Sequence, residues 1–269
     1  MNMLTETPQL FWPITSALWG IITTSLVGVI VHRTPTWFGL RENTEKLSLT
    51  ERSSCNNCKR MLKFWEIIPV LGFFLAKGKC SSCGYKIPIE YPIIEALGGT
   101  LCFISTYATG NNINSVILCF IIPIMILIAW FDWNETYIPD IFVLVLAILS
   151  LVLNITLERN IFESIMNAAI LAILIFASVS IPIYIKQRKE TKIEELPWGD
   201  VTTGGTLGLI LINTSTAHFL LLTGILHITL FLITKKGQNA LKNKQPLPMA
   251  PALCTSAFII FMADNVNIL

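Results

Sequence analysis

The stretch VILCFIIPIMILIAWFD, residues 116–132, decides the fold. From Val116 to Trp130 it carries no charged side chain, and it then runs into an acid, Asp132. It does not alternate apolar and polar residues as a barrel strand does, so a helix is the economical way to satisfy its backbone in lipid. Runs of the same kind recur at Leu10–Val31, Ile141–Leu157, Ile161–Ile185, Phe219–Thr234 and Ala250–Ala263. Several reach the roughly 18–20 residues that cross a bilayer core. Tyr91–Thr109, which contains Glu95, and the short, Gly-rich Val201–Ile212 are weaker members of the set. The expected fold is therefore an all-α polytopic membrane protein of about eight transmembrane helices.

Composition agrees. Of 269 residues, 53% are hydrophobic and 13% charged, where a soluble domain carries about a quarter charged residues. Leu10–Val31 is expected to be a retained helix rather than a signal peptide, because Met1–Gln9 lacks the basic residues of an n-region.

The basic residues orient the bundle. With the N-terminus outside, the inside loops are Arg33–Lys86, Asp132–Tyr137, Lys186–Lys192 and Lys235–Lys244, and of nineteen Lys and Arg only Arg159 falls elsewhere. That is a strong positive-inside bias. It also explains why the formal net charge of +2 says little about partners, and no nucleic-acid partner is expected. The organisation expected is a first helix over 1–32, a cytoplasmic insertion over 33–90, and a helical bundle over 91–269 that carries the acids.

The insertion contains Cys55-Asn-Asn-Cys58 and Cys80-Ser-Ser-Cys83. Two intervening residues let each pair turn both sulfurs onto one ion, and two such pairs about twenty residues apart suit a four-thiolate zinc site. A pair of disulfides or redox thiols are the alternatives, disfavoured by the reducing side of the membrane on which the topology puts them. Four thiolates leave no open coordination position, so the zinc would be structural. Cys102, Cys119 and Cys254 lie in apolar runs and read as small core residues.

Two acids stand at the cytoplasmic rim in this topology: Asp132 closing one helix, and Asp200, after Gly199, opening another. Both could be caps or interfacial anchors; Asp140, next to Pro139 at a helix start, fits that description well. Asp132 fits it less well, because an acid at a helix C-terminus meets the unfavourable end of the dipole. A carboxylate pair also suits aspartic-protease chemistry. One acid takes a proton from the attacking water while the other, still protonated, donates to the carbonyl oxygen. An ion path is another use for two such acids. By their helix ends alone, Asp132 is expected to be the protonated partner and Asp200 the ionised one.

With these residues in place, the sequence resembles the type IV prepilin peptidases, a family of bifunctional leader peptidases and N-methyltransferases. The resemblance runs in order along most of the chain. It rests on His32-Arg33-Thr34-Pro35, Ser54–Cys58, Ile68-Pro69-Val70-Leu71, Gly78–Gly84 and Tyr91-Pro92-Ile93-Ile94-Glu95. It continues through Asp132 to Pro139-Asp140, Gly199-Asp200 and the Pro246–Pro251 stretch. It implies that Asp132 and Asp200 are the catalytic acids, the second within a Gly-x-Gly-Asp motif shared with presenilin-like intramembrane proteases. It implies prepilin or pseudopilin substrates in the lipid bilayer of a bacterial inner membrane, serving pili or protein secretion, and cleavage on the cytoplasmic side. It also implies N-methylation of the new terminus from S-adenosylmethionine. No glycine-rich strand–turn–helix appears in 33–90 to bind that cofactor. The chain departs from the family pattern at Pro197, which replaces the first Gly of the motif. It departs again at Val201-Thr202-Thr203, where a Lys is often found, and at Gly72 in place of a small hydroxyl residue. Readings of other classes are an ion or proton transporter using the two acids as a relay, and a non-catalytic zinc-ribbon adaptor.

Overall fold

The computed structural model describes residues 10–40, 51–187, 198–212, 215–243 and 247–265. Among them every apolar run read above is helical over most of its length. These are α1 (Phe11–Arg33), α4 (Glu90–Thr109), α5 (Ile113–Glu135), α6 (Asp140–Thr156), α7 (Ile161–Gln187), α8 (Trp198–Gly208), α9 (Thr216–Ile233) and α11 (Ala250–Asn265). Three short helices join them: α2 (Phe64–Ile67), α3 (Leu71–Leu75) and α10 (Lys235–Asn243). Four helices, α1, α5, α7 and α9, are long and apolar enough to cross a membrane, while α6 and α11 are shorter apolar helices. The chain thus reads as a multi-pass membrane protein, but eight full spans are not found. At 11 residues, α8 covers about half of a bilayer core. Pro197, Pro246 and most of the 186–197 loop lie outside the described residues.

The chain divides into two compact units, 1–127 and 128–269. In the first, α1 and α4 pack antiparallel through small residues. A Cβ on Gly98 would lie 2.3 Å from Thr24 Cγ2, and one on Gly20 would lie 2.5 Å from the Gly98 carbonyl oxygen. Glycine is what lets the backbones meet, the usual device where two membrane helices gain nothing by hiding from lipid. A polar link reinforces it, Ser16 Oγ donating to Cys102 O at 3.2 Å, while Trp19 Nε1 ties α1 to α5 by donating to Cys119 O at 3.2 Å. Cys102 and Cys119 are buried, as is Cys254 in the second unit, in line with their reading as core residues.

In the second unit α8 packs against α6, α7 and α11. A helix that stops inside a bundle leaves its last carbonyls without partners, and in an apolar setting each such group costs several kcal/mol. Three side chains meet this need. Asn167 Nδ2 donates to Gly208 O at 2.8 Å and to Leu211 O at 3.2 Å. Asn154 Nδ2 donates to Leu209 O at 2.6 Å, and Arg159 Nη1 to Ile210 O at 2.6 Å. The one basic residue that broke the positive-inside pattern is therefore part of the cap of a broken helix. Gly204, Gly205 and Gly208 press on α7, where a Cβ on Gly208 would lie 2.8 Å from Ala168 Cα. The Gly-rich composition that made this run look weak as a span is what lets it pack so closely.

Candidate functional site

The four insertion cysteines converge. Their sulfurs all lie within 4.8 Å of one another, with Cys55 Sγ 3.7 Å from Cys83 Sγ and Cys58 Sγ 3.9 Å from Cys80 Sγ. A tetrahedral zinc with Zn–S of about 2.3 Å puts its sulfurs about 3.8 Å apart, so this cage fits the ion and could hold it. All four thiols are free rather than disulfide-bonded.

Two matching knuckles build the cage. Cys55 N–H donates to Arg60 O and Lys59 N–H to Cys55 O; Cys80 N–H donates to Tyr85 O and Gly84 N–H to Cys80 O. Lys59 and Gly84 occupy the equivalent left-handed position, with φ of 57° and 69°. Glycine is at ease there and lysine is not, so the first knuckle carries local strain. The backbone N–H groups of Cys83 and Ser82, helped by Arg60, hold the Cys80 thiol down at about 6, which favours the thiolate that a metal needs. Arg60 Nη2 in turn donates to Glu66 Oε1 at 2.8 Å and to Ser81 Oγ at 2.9 Å. Arg60 foremost, and then the Lys63 N–H, keeps Glu66 ionised with its carboxyl at about 2. The Arg60–Glu66–Ser81 network, unread in the sequence, thus fastens one knuckle to the other and to α2.

The motif residues near α2 and α3 also find a physical role. Val70, a β-branched residue, is held at φ 62°, a conformation such residues avoid, and its N–H donates to Glu95 Oε2 at 2.6 Å. Gly72 has no room for a side chain, because a Cβ there would lie 2.6 Å from Glu66 O. The departure from a small hydroxyl residue at position 72 is thereby accounted for.

In the second unit the structure gathers residues far apart in sequence around Asp132. This acid lies in the last turn of α5, only 4% exposed. Its Oδ2 accepts the Ala250 N–H at 2.9 Å, so the carboxylate caps the first turn of α11, which follows Leu247-Pro248-Met249. Lys236, on α10, lies near enough for its charge to act on Asp132. The Lys236 ammonium donates to the Trp133 carbonyl and sits 5.2 Å from the centre of the Trp133 ring. Asp200 is in the first turn of α8 and half-buried. Its neighbour Gly199 is pressed against the loop that follows α5, where a Cβ would meet Ile138 Cβ at 3.1 Å, and Trp198 stacks on Phe176 of α7. Asp200 thus directly follows a residue that packs against the loop six residues beyond Asp132. Asp140 is exposed in the first turn of α6, as its reading as a helix-start acid requires.

Sequence reasoning missed Lys236 and the Ala250 N–H. The first stood in a basic loop that read as topology alone, and the second is a backbone group with no signature in sequence.

Comparison with known proteins falls on the same residues. Residues 18–109, which include the four cysteines, match the bacterial peptidase A24 N-terminal domain, and residues 119–232, which include both acids, match the type IV leader peptidase family. A prepilin leader peptidase/N-methyltransferase of Legionella pneumophila is 27% identical over 93% of this chain and 91% of its own length. A protein of the same description from Bacillus subtilis is 26% identical over 80% of this chain and 82% of its own. A type 4 prepilin-like proteins leader peptide-processing enzyme of Escherichia coli is 26% identical over 48% of this chain and 52% of its own. No solved structure matches.

Proposed function

Because the chain belongs to the type IV leader peptidase family, we propose that it is a membrane aspartic endopeptidase acting on type IV prepilins or pseudopilins. It removes their leaders at the cytoplasmic face of a bacterial inner membrane, with Asp132 and Asp200 as its catalytic acids. The observation that carries this reading is that Asp132 lies buried in the last turn of α5 and Asp200 in the first turn of α8, with Gly199 packed against Ile138 in the loop that follows α5. An ion relay calls for acids deep in a span, whereas Asp132 is in the last turn of α5 and Asp200 in the first turn of α8.

We infer the division of roles between the two acids from what stands beside Asp132. The argument from helix ends alone makes Asp132 the protonated member. Two groups beside Asp132 are not visible from helix ends alone: the α11 N-terminus, whose Ala250 N–H donates to Oδ2, and the Lys236 ammonium. Asp132 is therefore the base that takes a proton from water, and Asp200 the acid that donates to the scissile carbonyl oxygen as the hydroxide adds to carbon. Collapse of the tetrahedral intermediate returns a proton to the leaving amine and regenerates the pair. Lys236 acts through Asp132 and by fixing the Trp133 carbonyl at the end of α5; it is a positioning residue.

Residues 33–90 form the cytoplasmic insertion between the first helix and the bundle 91–269. Cys55, Cys58, Cys80 and Cys83 hold a structural zinc that keeps its two knuckles together. N-methylation of the new terminus from S-adenosylmethionine is the second activity, supported by the description that several relatives share.

The test is gel-shift cleavage of a membrane-inserted prepilin by wild type, Asp132→Asn and Asp200→Asn at matched membrane levels. Both variants should be inactive, and wild-type cleavage by either removes that acid from the mechanism. Mass spectrometry of the released mature protein, with S-adenosylmethionine supplied, should show one added methyl group. Its absence under varied conditions rejects the second activity.

A further inference from the structure

We propose that the α2–α3 hairpin of the insertion is a membrane-docking element that lies in the headgroup region of an anionic bilayer. The proposal does not rest on the peptidase reading. Outside every span, five large side chains within twelve residues face outward: Phe64 81% exposed, Trp65 50%, Leu71 59%, Phe74 66% and Leu75 62%. The one polar side chain of 64–75, Glu66, turns the other way. Glu66 is taken up by Arg60 and Ser81 beside the cysteine cage. A short aromatic-rich surface of this kind is uncommon unless something apolar covers it.

Charge says what covers it. From Lys59 to Ile89 the only acid is Glu66, and Arg60 neutralises it. Lys59, Lys63, Lys77, Lys79 and Lys86 are left without an acid from their own segment. Lys63 directly precedes α2, with its ammonium 5.0 Å from the Trp65 ring centre, and Lys77 and Lys79 follow α3. An apolar face rimmed by lysines and carrying Trp and Phe is the pattern of an interfacial membrane contact. A second copy of this chain would set lysines against lysines, so the anionic lipid surface is the better complement.

Geometry permits it. The hairpin is held at its turn to α4, and the chain leading into it is held to the end of α1. Arg33 Nη1, at the end of α1, donates to Glu51 O at 2.8 Å, and the Val70 N–H between α2 and α3 is clamped by Glu95, in the second turn of α4. The left-handed Val70 and side-chain-free Gly72 fold α3 sharply back on α2. Both short helices thus stay close to the depth at which α4 begins.

The test uses full-length protein in nanodiscs of phosphatidylcholine, with or without phosphatidylglycerol. A photo-crosslinking phenylalanine analogue replaces Phe74, Leu75 or, as a control in the second knuckle, Ser82. Irradiation should give lipid adducts by mass spectrometry from positions 74 and 75, at least about fivefold above position 82 and greater with phosphatidylglycerol. A Lys63→Gln/Lys77→Gln/Lys79→Gln background should remove the phosphatidylglycerol enhancement without changing thermal stability. Adducts no more frequent than at position 82, or adducts of twice the chain mass, would overturn the proposal. An enhancement that survives loss of the three lysines would overturn its charge basis.

Discussion

Asp132 has two claims on it, and one pair of substitutions separates them. Its carboxylate caps α11 through the Ala250 N–H at 2.9 Å, and we assign it the catalytic base. Asp132→Asn keeps an acceptor oxygen of the same reach. Asparagine and aspartate are about equal as caps, and the loss of charge at a helix N-terminus costs about 0.3–1 kcal/mol. Asp132→Ala removes the acceptor and leaves a buried N–H unpaired, at about 1–3 kcal/mol. Near about 2–4 °C per kcal/mol for a chain of this size, the two variants should melt a few degrees apart, with the asparagine form close to wild type. Neither can accept a proton from water, so both should lose the about 10²–10⁴-fold that a positioned acid–base group supplies, or about 3–5 kcal/mol of barrier. The assay is thermal unfolding of each purified variant, followed by prepilin cleavage normalised to folded protein. Cleavage by Asp132→Asn within about twofold of wild type, far inside the factor expected of an acid–base group, would refute the reasoning and leave Asp132 a helix cap.

Four further outcomes follow from the same structure. Asp200 must carry its proton to act, so cleavage should fall on the alkaline side of its pH profile; a rate that stays level well into the alkaline range would reject it as the acid. Replacing Lys236 by Gln should lower the cleavage rate and move its acid-side pH limb upward, with partial rescue by Lys236→Arg; an unchanged profile would deny its action on Asp132. Metal analysis should find about one zinc per chain, as a closed four-thiolate site binds, and Cys80→Ser should lose it with loss of the insertion's fold; a metal-free wild type that keeps that fold would reject the centre. Asn167→Leu strips the Gly208 and Leu211 carbonyls of their donor and should destabilise the second unit by about 1–3 kcal/mol, read as a lowered melting temperature; unchanged melting would mean that these carbonyls find other partners.

The apolar runs and the cysteine spacing were legible in sequence because each is a local property. A run of about twenty apolar residues has one economical backbone solution in lipid, and Cys-x-x-Cys sets its own turn. Those readings gave the helices at α1, α5, α7 and α9, the thiolate cage, and Asp132 and Asp200 near helix ends. Tertiary structure decided the rest, because the deciding groups meet across long stretches of chain. It made the 201–212 run a short helix, ended at Gly208 by Asn154, Arg159 and Asn167, where hydropathy saw a weak span. It also set the α11 N-terminus and Lys236 beside Asp132, neither of which one helix end reveals. A dipole or a cation acts on whatever lies within a few ångströms of it, and only the packed fold determines what that is.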